Sequence, residues 1–307
     1  MNVFLWHVHG SWTNSLVQGR HRYLLPVLPG RGPDGRGRAQ TWAWPDTVVE
    51  VTPEAAATAA VDIVIMQRPV ELEGLACRWL GGREPGRDLP GLYLEHNAPQ
   101  GPVNAMRHPA ANRPDLHLVQ VSHFNRLFWD SGSTPVRVIE HGIVDPGHRY
   151  SGELARAGAA INEPQRRQRV VGYDLLPQLA SACPIDLFGI ATENDLPQDR
   201  LHEELGRRRA YVHPYRWTSL GLALLEAMHL GLPVVALATT EVPEAVPAAA
   251  GFVSNRLPVL QEGLRRLRSD PDLGRDMGAA GRAAALEHYG LARFLREWDQ
   301  LLAEVSR

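Results

Sequence analysis

The chain of 307 residues contains no lysine; all 32 of its basic residues are arginine. Any anion site must therefore rely on guanidinium groups, which stay charged and grip carboxylate or phosphate with a planar fork. Cysteine is nearly absent. Cys77 and Cys183 stand far apart in sequence, which excludes a disulfide framework and a zinc cluster and fits a reducing cytoplasm. Neither charge is in excess, since 34 acidic residues leave a net charge of −2. That excludes a global positive field able to hold nucleic acid or an anionic membrane. Long hydrophobic runs are missing as well. The longest, near Pro233–Ala238, is far below spanning length, and MNVFLWHVHG has no basic segment ahead of an apolar one. Neither membrane insertion nor secretion is expected.

The sequence does have enough apolar material, 44% of residues, for two cores of ordinary size. Short β-branched runs alternate with segments of helical period, the pattern of parallel sheets. In the first half, strands are expected at Asn2–Val8, Asp62–Met66, Leu92–Glu95, Leu118–Ser122 and Arg137–Glu140, with helices at Glu71–Leu80 and His123–Ser131. Pro146–Pro164 shows no clear strand and reads as a linker. Beyond it, strands fit Arg169–Val171, Ile185–Phe188, Ala210–His213, Pro233–Ala236 and Gly251–Val253. Helices fit Asp174–Ala182, Gln198–Leu205, Leu222–Leu230 and Pro258–Arg266. A last helix, Ala292–Val305, carries Phe294, Leu295, Trp298, Leu301 and Leu302 at three- and four-residue spacing, a stripe that must dock. Residues 30–46 are rich in Gly, Arg and Pro with aromatic neighbours; a surface loop is preferred to a nucleic-acid patch.

The informative segment is 210–246. A strand runs into the loop His213–Leu220, then Gly221, then a helix of good formers from Leu222. The first-turn N–H groups of such a helix have no partner within it and sit at the positive end of its dipole, so an anion is stabilised there. Gly221 allows a close approach to the backbone. Glu226, among Leu222, Leu224, Leu225 and Met228, needs hydrogen-bond donors. Either the diol of a ribose or sugar, or one of the arginines, would supply them.

The run SLGLALLEAMHLGLPVVA resembles the signature G-L-x-x-L-E-A-M-x-x-G-x-P-V-V-A of retaining glycosyltransferases of family 4. Downstream, Pro243-Glu244-Ala245-Val246 and Gly251-Phe252-Val253 resemble further elements of that family, and so do LYLEH (Leu92–His96), VQVS (Val119–Ser122) and IEHGIVD (Ile139–Asp145) in the first half. The resemblance implies an α/β protein of GT-B fold, with two Rossmann-like domains facing across a cleft. Residues 1–152 would form the acceptor side and 160–288 the donor-nucleotide side, with a C-terminal helix, 289–307, bridging back to the first domain. It implies transfer of a sugar from a UDP- or GDP-sugar to an acceptor hydroxyl, with retention, no metal and no cofactor. A sugar-nucleotide epimerase of the same fold and a non-catalytic sugar-nucleotide-binding protein are the alternatives.

The donor set implied is Gly10, Arg166, Arg167, Arg169, Gly189, Arg216, Ser219, Leu220, Gly221, Leu222 and Glu226, with Gly221 receiving the diphosphate and Glu226 the ribose. His96 and Thr218 are the catalytic candidates. His96 either positions the sugar and exchanges protons or caps the loop Asn97-Ala98-Pro99. Thr218 stands where relatives carry the first of two glutamates, eight residues before Glu226. Relatives use an arginine and a lysine on the diphosphate; here Arg166, Arg167 or Arg169 must serve. Gly10 offers one glycine where relatives often have two. His7 and His9 share a strand face, but no third ligand accompanies them. Asp270-Pro271-Asp272 reads as a surface turn, not a metal-binding D-x-D.

Overall fold

A computed structural model of the protein describes residues 1–306; Arg307, the last residue of the expected 289–307 segment, lies outside them. The chain divides into two compact units: Met1–Gly142 together with the stretch from Leu291, and Ile143–Gly290.

The first unit runs β1 (Asn2–Leu5), α1 (Gly10–Leu16), β2 (Arg22–Pro26), β3 (Val48–Val51), α2 (Pro53–Thr58), β4 (Ile63–Met66), α3 (Ala76–Trp79), β5 (Gly91–Glu95), β6 (His117–Gln120), α4 (His123–Phe128) and β7 (Val136–Val138). Its seven strands are all parallel, in the order β3-β2-β1-β4-β5-β6-β7. The order reverses at β1, so the ends of β1 and β4 flank a topological switch point, where ligands of such sheets bind.

The second unit runs β8 (Leu154–Ala160), α5 (Pro164–Arg167), α6 (Leu176–Ala180), β9 (Ile185–Phe188), α7 (Gln198–Gly206), β10 (Arg208–His213), α8 (Leu222–Leu230), β11 (Val234–Ala236), α9 (Val242–Ala245), β12 (Gly251–Val253), α10 (Leu257–Ser269) and α11 (Pro271–His288). Its five parallel strands are ordered β12-β11-β10-β8-β9, with the switch between β8 and β10. The chain then returns to the first unit as α12 (Leu291–Val305). Its stripe of Phe294, Trp298, Leu301 and Leu302 is buried. Trp298 meets Trp12 of α1 edge to face at 5.5 Å between ring centroids.

Three expectations are corrected. The linker Pro146–Pro164 contains β8, a central strand of the second sheet. Its LARAGAA sequence lacks β-branched residues, and at Gly158 α7 leaves no room for one: a Cβ there would lie 2.8 Å from Leu205. Arg169–Val171 is a turn, not a strand, set between positive φ angles at Gln168 (40°) and Gly172 (68°). The helix expected at Glu71–Leu80 is interrupted at Gly74, whose φ of 119° is outside the helical region. The segment 30–46 contains no regular helix or strand; Arg38 ties it down by donating to the carbonyls of Trp44, Pro45 and Val48.

Candidate functional site

In the second unit the loop from β10 to α8 carries five of the expected donor-site and catalytic residues, Arg216 and Thr218–Gly221, and Leu222 opens α8. Gly221 is the N-cap of α8, with extended backbone (φ −73°, ψ 121°), no side-chain cap and no acidic residue in the first turn. The N-cap thus supplies no side-chain acceptor of its own at the positive end of this helix, where an anion is favoured. Ser219 and Leu220 are buried, and Thr218 is half-buried. Beneath Gly221 lies His213, 1% exposed, stacked between Tyr211 and Tyr215. Burial pushes its pKa down to about 3, so its ring is neutral.

Glu226 is 8% exposed and faces α7. Its Oε2 accepts from the side-chain amide of Gln198 at 2.9 Å and lies 3.4 Å from Nε2 of His202. Gln198 and His202 are four residues apart, one turn of α7, which puts both on the face towards α8. An amide and an imidazole of α7 thus stand beside this carboxylate. Gln198 and His202 themselves escaped sequence reasoning, although their i,i+4 spacing was visible.

The four expected arginines have different surroundings. Arg216 clasps Asp174 with both terminal nitrogens (2.6 and 2.9 Å) and also donates to the carbonyl of Arg169. The backbone N–H groups of Arg216 and Trp217 both donate to Val170, so the loop before α8 is tied to the turn after α5. Arg169 shares Asp174 at 3.1 Å, and these arginines, Arg216 foremost, hold that carboxyl below its usual range. Arg166 pairs with Glu163. Among the described residues, Arg167 alone of the four has no carboxylate within ion-pair distance; its guanidinium lies over the Tyr215 ring at 5.7 Å. Gly189 ends β9 with a φ of 126°, and a Cβ there would stand 2.7 Å from the Ile161 carbonyl. Its glycine is thus required by backbone shape.

In the first unit, Gly10 opens α1 and lies under Trp42: a Cβ there would be 2.7 Å from the indole. His96 follows β5. Its Nε2 is 3.1 Å from Oε1 of Gln67, and its ring packs on His9 (4.0 Å between centroids), Trp12 (5.2 Å) and His141 (6.1 Å). Burial above all, then His9 and His141, lowers its pKa well below the usual value, which keeps the imidazole neutral. The loop after it is held by other groups. Glu95 accepts from the backbone and side-chain nitrogens of Asn97, and His108 lies 3.1 Å from its second oxygen. Asn97 in turn accepts from Asn125 and Trp129. Among the described residues, no group of three or more His, Cys, Asp or Glu could hold a metal ion.

The family model for glycosyl transferases group 1 matches residues 193–284, the stretch from the end of β9 into α11 that includes α7, α8 and Glu226. This stretch is similar to the group 1 glycosyltransferase domain. The wider chain is 27% identical over 175 residues to the alpha-maltose-1-phosphate synthase of Mycolicibacterium smegmatis, a match that covers 53% of this chain and 44% of the relative. The chain thus spans less than half the length of that relative. Among solved structures, sucrose-phosphate synthase from Thermosynechococcus elongatus superposes with a TM-score of 0.73 at 13% identity over 99% of both chains. HepE of Anabaena, in complex with UDP-glucose, gives 0.69 at 13% identity over 99% of this chain and all of that one. The fold of the chain is that of the GT-B glycosyltransferases. No helix among the described residues is long and apolar enough to cross a membrane.

Proposed function

We propose that the protein is a cytoplasmic glycosyltransferase of the family 4 type. In this reading it moves a sugar from a UDP- or GDP-linked donor to an acceptor hydroxyl, with retention of anomeric configuration and without a required metal. The observation that carries this reading is the junction at Gly221: an uncapped helix N-terminus of the group 1 domain, with the carboxylate of Glu226 one turn further on. The donor diphosphate lies on the N–H groups of the first turn, and Glu226 accepts from the ribose hydroxyls. A carboxylate has about four lone-pair sites, enough to keep Gln198 and take a diol.

The charge that develops on the leaving diphosphate is met by the helix end and by Arg167, without reorganisation at the moment of reaction. Arg166, Arg169 and Arg216 hold the surrounding loops through Glu163 and Asp174. His96, neutral in the first unit, offers a hydrogen bond to a substrate hydroxyl.

One observation favours a second reading. Thr218 brings no negative charge to the position where relatives have a glutamate, and a protein that binds sugar nucleotides without transfer would also look like this. A panel of UDP, GDP and ADP with their sugar conjugates, read by thermal unfolding of wild type and Glu226→Ala, tests the donor site. A ligand at a hundred times its dissociation constant adds about 2.7 kcal/mol. Stabilisation by one nucleotide class, diminished in the variant, supports the site; its absence in a folded protein sinks it. Product formation over an acceptor panel then separates transfer from binding alone, and the anomeric coupling of the product tests retention.

A further inference from the structure

Trp6, Gln67 and His96 each follow closely on one of three neighbouring parallel strands, β1, β4 and β5. Gln67 is 3% exposed, and its backbone N–H is anchored on the carboxylate of Glu71 at 2.6 Å. Its side-chain amide is fixed at both ends. Nε2 donates to the backbone carbonyl of Trp6 at 2.7 Å. A carbonyl only accepts, so that end of the amide must be the NH2 group and the other end the oxygen. This oxygen lies 3.1 Å from Nε2 of His96 and can only accept in its turn. The proton of the neutral imidazole therefore sits on Nε2, and Nδ1 is bare.

We propose that Gln67 is a positioning residue that locks His96 in the Nε2-protonated tautomer and so presents Nδ1 as the acceptor for a substrate hydroxyl. The titratable groups facing the ring are His9 and His141, both imidazoles. The tautomer, not the charge, decides what the ring offers at neutral pH. The lock stands on the hydrogen-bond geometry and on the burial that keeps the ring neutral; the substrate hydroxyl rests on the glycosyltransferase reading above.

The full chain with 15N-labelled histidine, its His96 signals assigned by difference from His96→Phe, tests the lock by imidazole NMR. In the wild type, Nε2 should show the protonated-type shift and Nδ1 the bare type across neutral pH. Gln67→Glu keeps an acceptor and adds a negative charge, so the proton affinity of His96 should rise at least about tenfold. The acid limb of the pH–rate profile should move with it. Gln67→Met keeps the shape but removes the acceptor; the Nε2 signal should shift, with kcat falling about tenfold and the donor KM little changed. A wild-type ring protonated on Nδ1 overturns the lock, as do His96 signals and titration that neither variant moves. A wild type with the expected Nε2 proton but no transfer from any donor supports the lock and overturns the reading of function.

Discussion

Gly221 stands directly over His213: a Cβ built on the glycine would lie 2.6 Å from Cε1 and 3.2 Å from Nε2 of the imidazole. The ring cannot retreat, because Tyr211 and Tyr215 stack on its two sides. Gly221→Ala should therefore destabilise the fold by about 1–3 kcal/mol, the usual cost of overpacking. It should also abolish stabilisation by nucleotide, since the shifted loop no longer presents the first turn of α8. Denaturant unfolding with and without nucleotide checks both; a variant as stable and as responsive as wild type would refute the close approach.

His213 also sets an acid limit on stability. Neither of its ring nitrogens has a hydrogen-bond partner among the described residues, and its pKa is about 3 against an ordinary 6.5. Between those values the unfolded chain holds a proton that the folded chain refuses. Stability is therefore unaffected above pH 6.5 and falls as pH drops towards 3, by up to about 1.4 kcal/mol per pH unit. His213→Phe should flatten this limb. Unfolding free energies measured from pH 3 to 7 on both proteins decide it, and parallel curves would remove His213 from the account.

Glu226 should distinguish ribose from deoxyribose. If it accepts from the diol, wild type should be stabilised more by a ribonucleoside diphosphate than by its dideoxy analogue. Glu226→Ala should treat the two alike and lose about 1.5–3 kcal/mol of binding to the former, the worth of hydrogen bonds to a charged group. Calorimetric titration gives both numbers. Equal affinity of wild type for the two nucleotides would leave Glu226 as a partner of α7 only.

Arg167 and Arg166 are adjacent, yet they should behave differently. Arg166 is already paired with Glu163, whereas Arg167 rests on Tyr215. Arg167→Ala should weaken binding of UDP or GDP about tenfold or more, and binding of the corresponding nucleoside hardly at all. Arg166→Ala should have the smaller effect on both. An equal loss in the two variants would mean that the diphosphate feels only the general field of the loop.

Helix α8 could be read to the residue from sequence because glycine marks both its ends, Gly221 as N-cap and Gly231 with a φ of 89° as C-cap. The long helix α11 could not. Its Gly274, Gly278 and Gly281 each lower helix propensity, but they are where the helix meets other chain segments: a Cβ at Gly274 would strike the hydroxyl of Tyr150, and one at Gly278 the backbone of Gly231. Strand β8 was hidden for a related reason, since close packing selected alanine and glycine over the β-branched residues that announce a strand. The loop before α8 was legible in its backbone and not in its electrostatics. Asp174, which takes two of the arginines, is 42 residues from Arg216, and nothing local reports such a partner. The pairing of Gln67 with His96 was hidden in the same way, since it depends on β4 and β5 being neighbours in the sheet.

The return of α12 to the first unit fixes an order of events during synthesis. The chain leaves that unit at Gly142 and re-enters it at Leu291, after the whole of the second has been made. On the ribosome, Trp12 and α1 thus wait through about 150 intervening residues before Trp298 can cover them, while the second unit, contiguous in the chain, has its complete core as soon as Gly290 is free of the exit tunnel. Of these two units the one begun first is thus the one completed last, and until α12 emerges the face of Trp12 that Trp298 will cover has no partner from that helix.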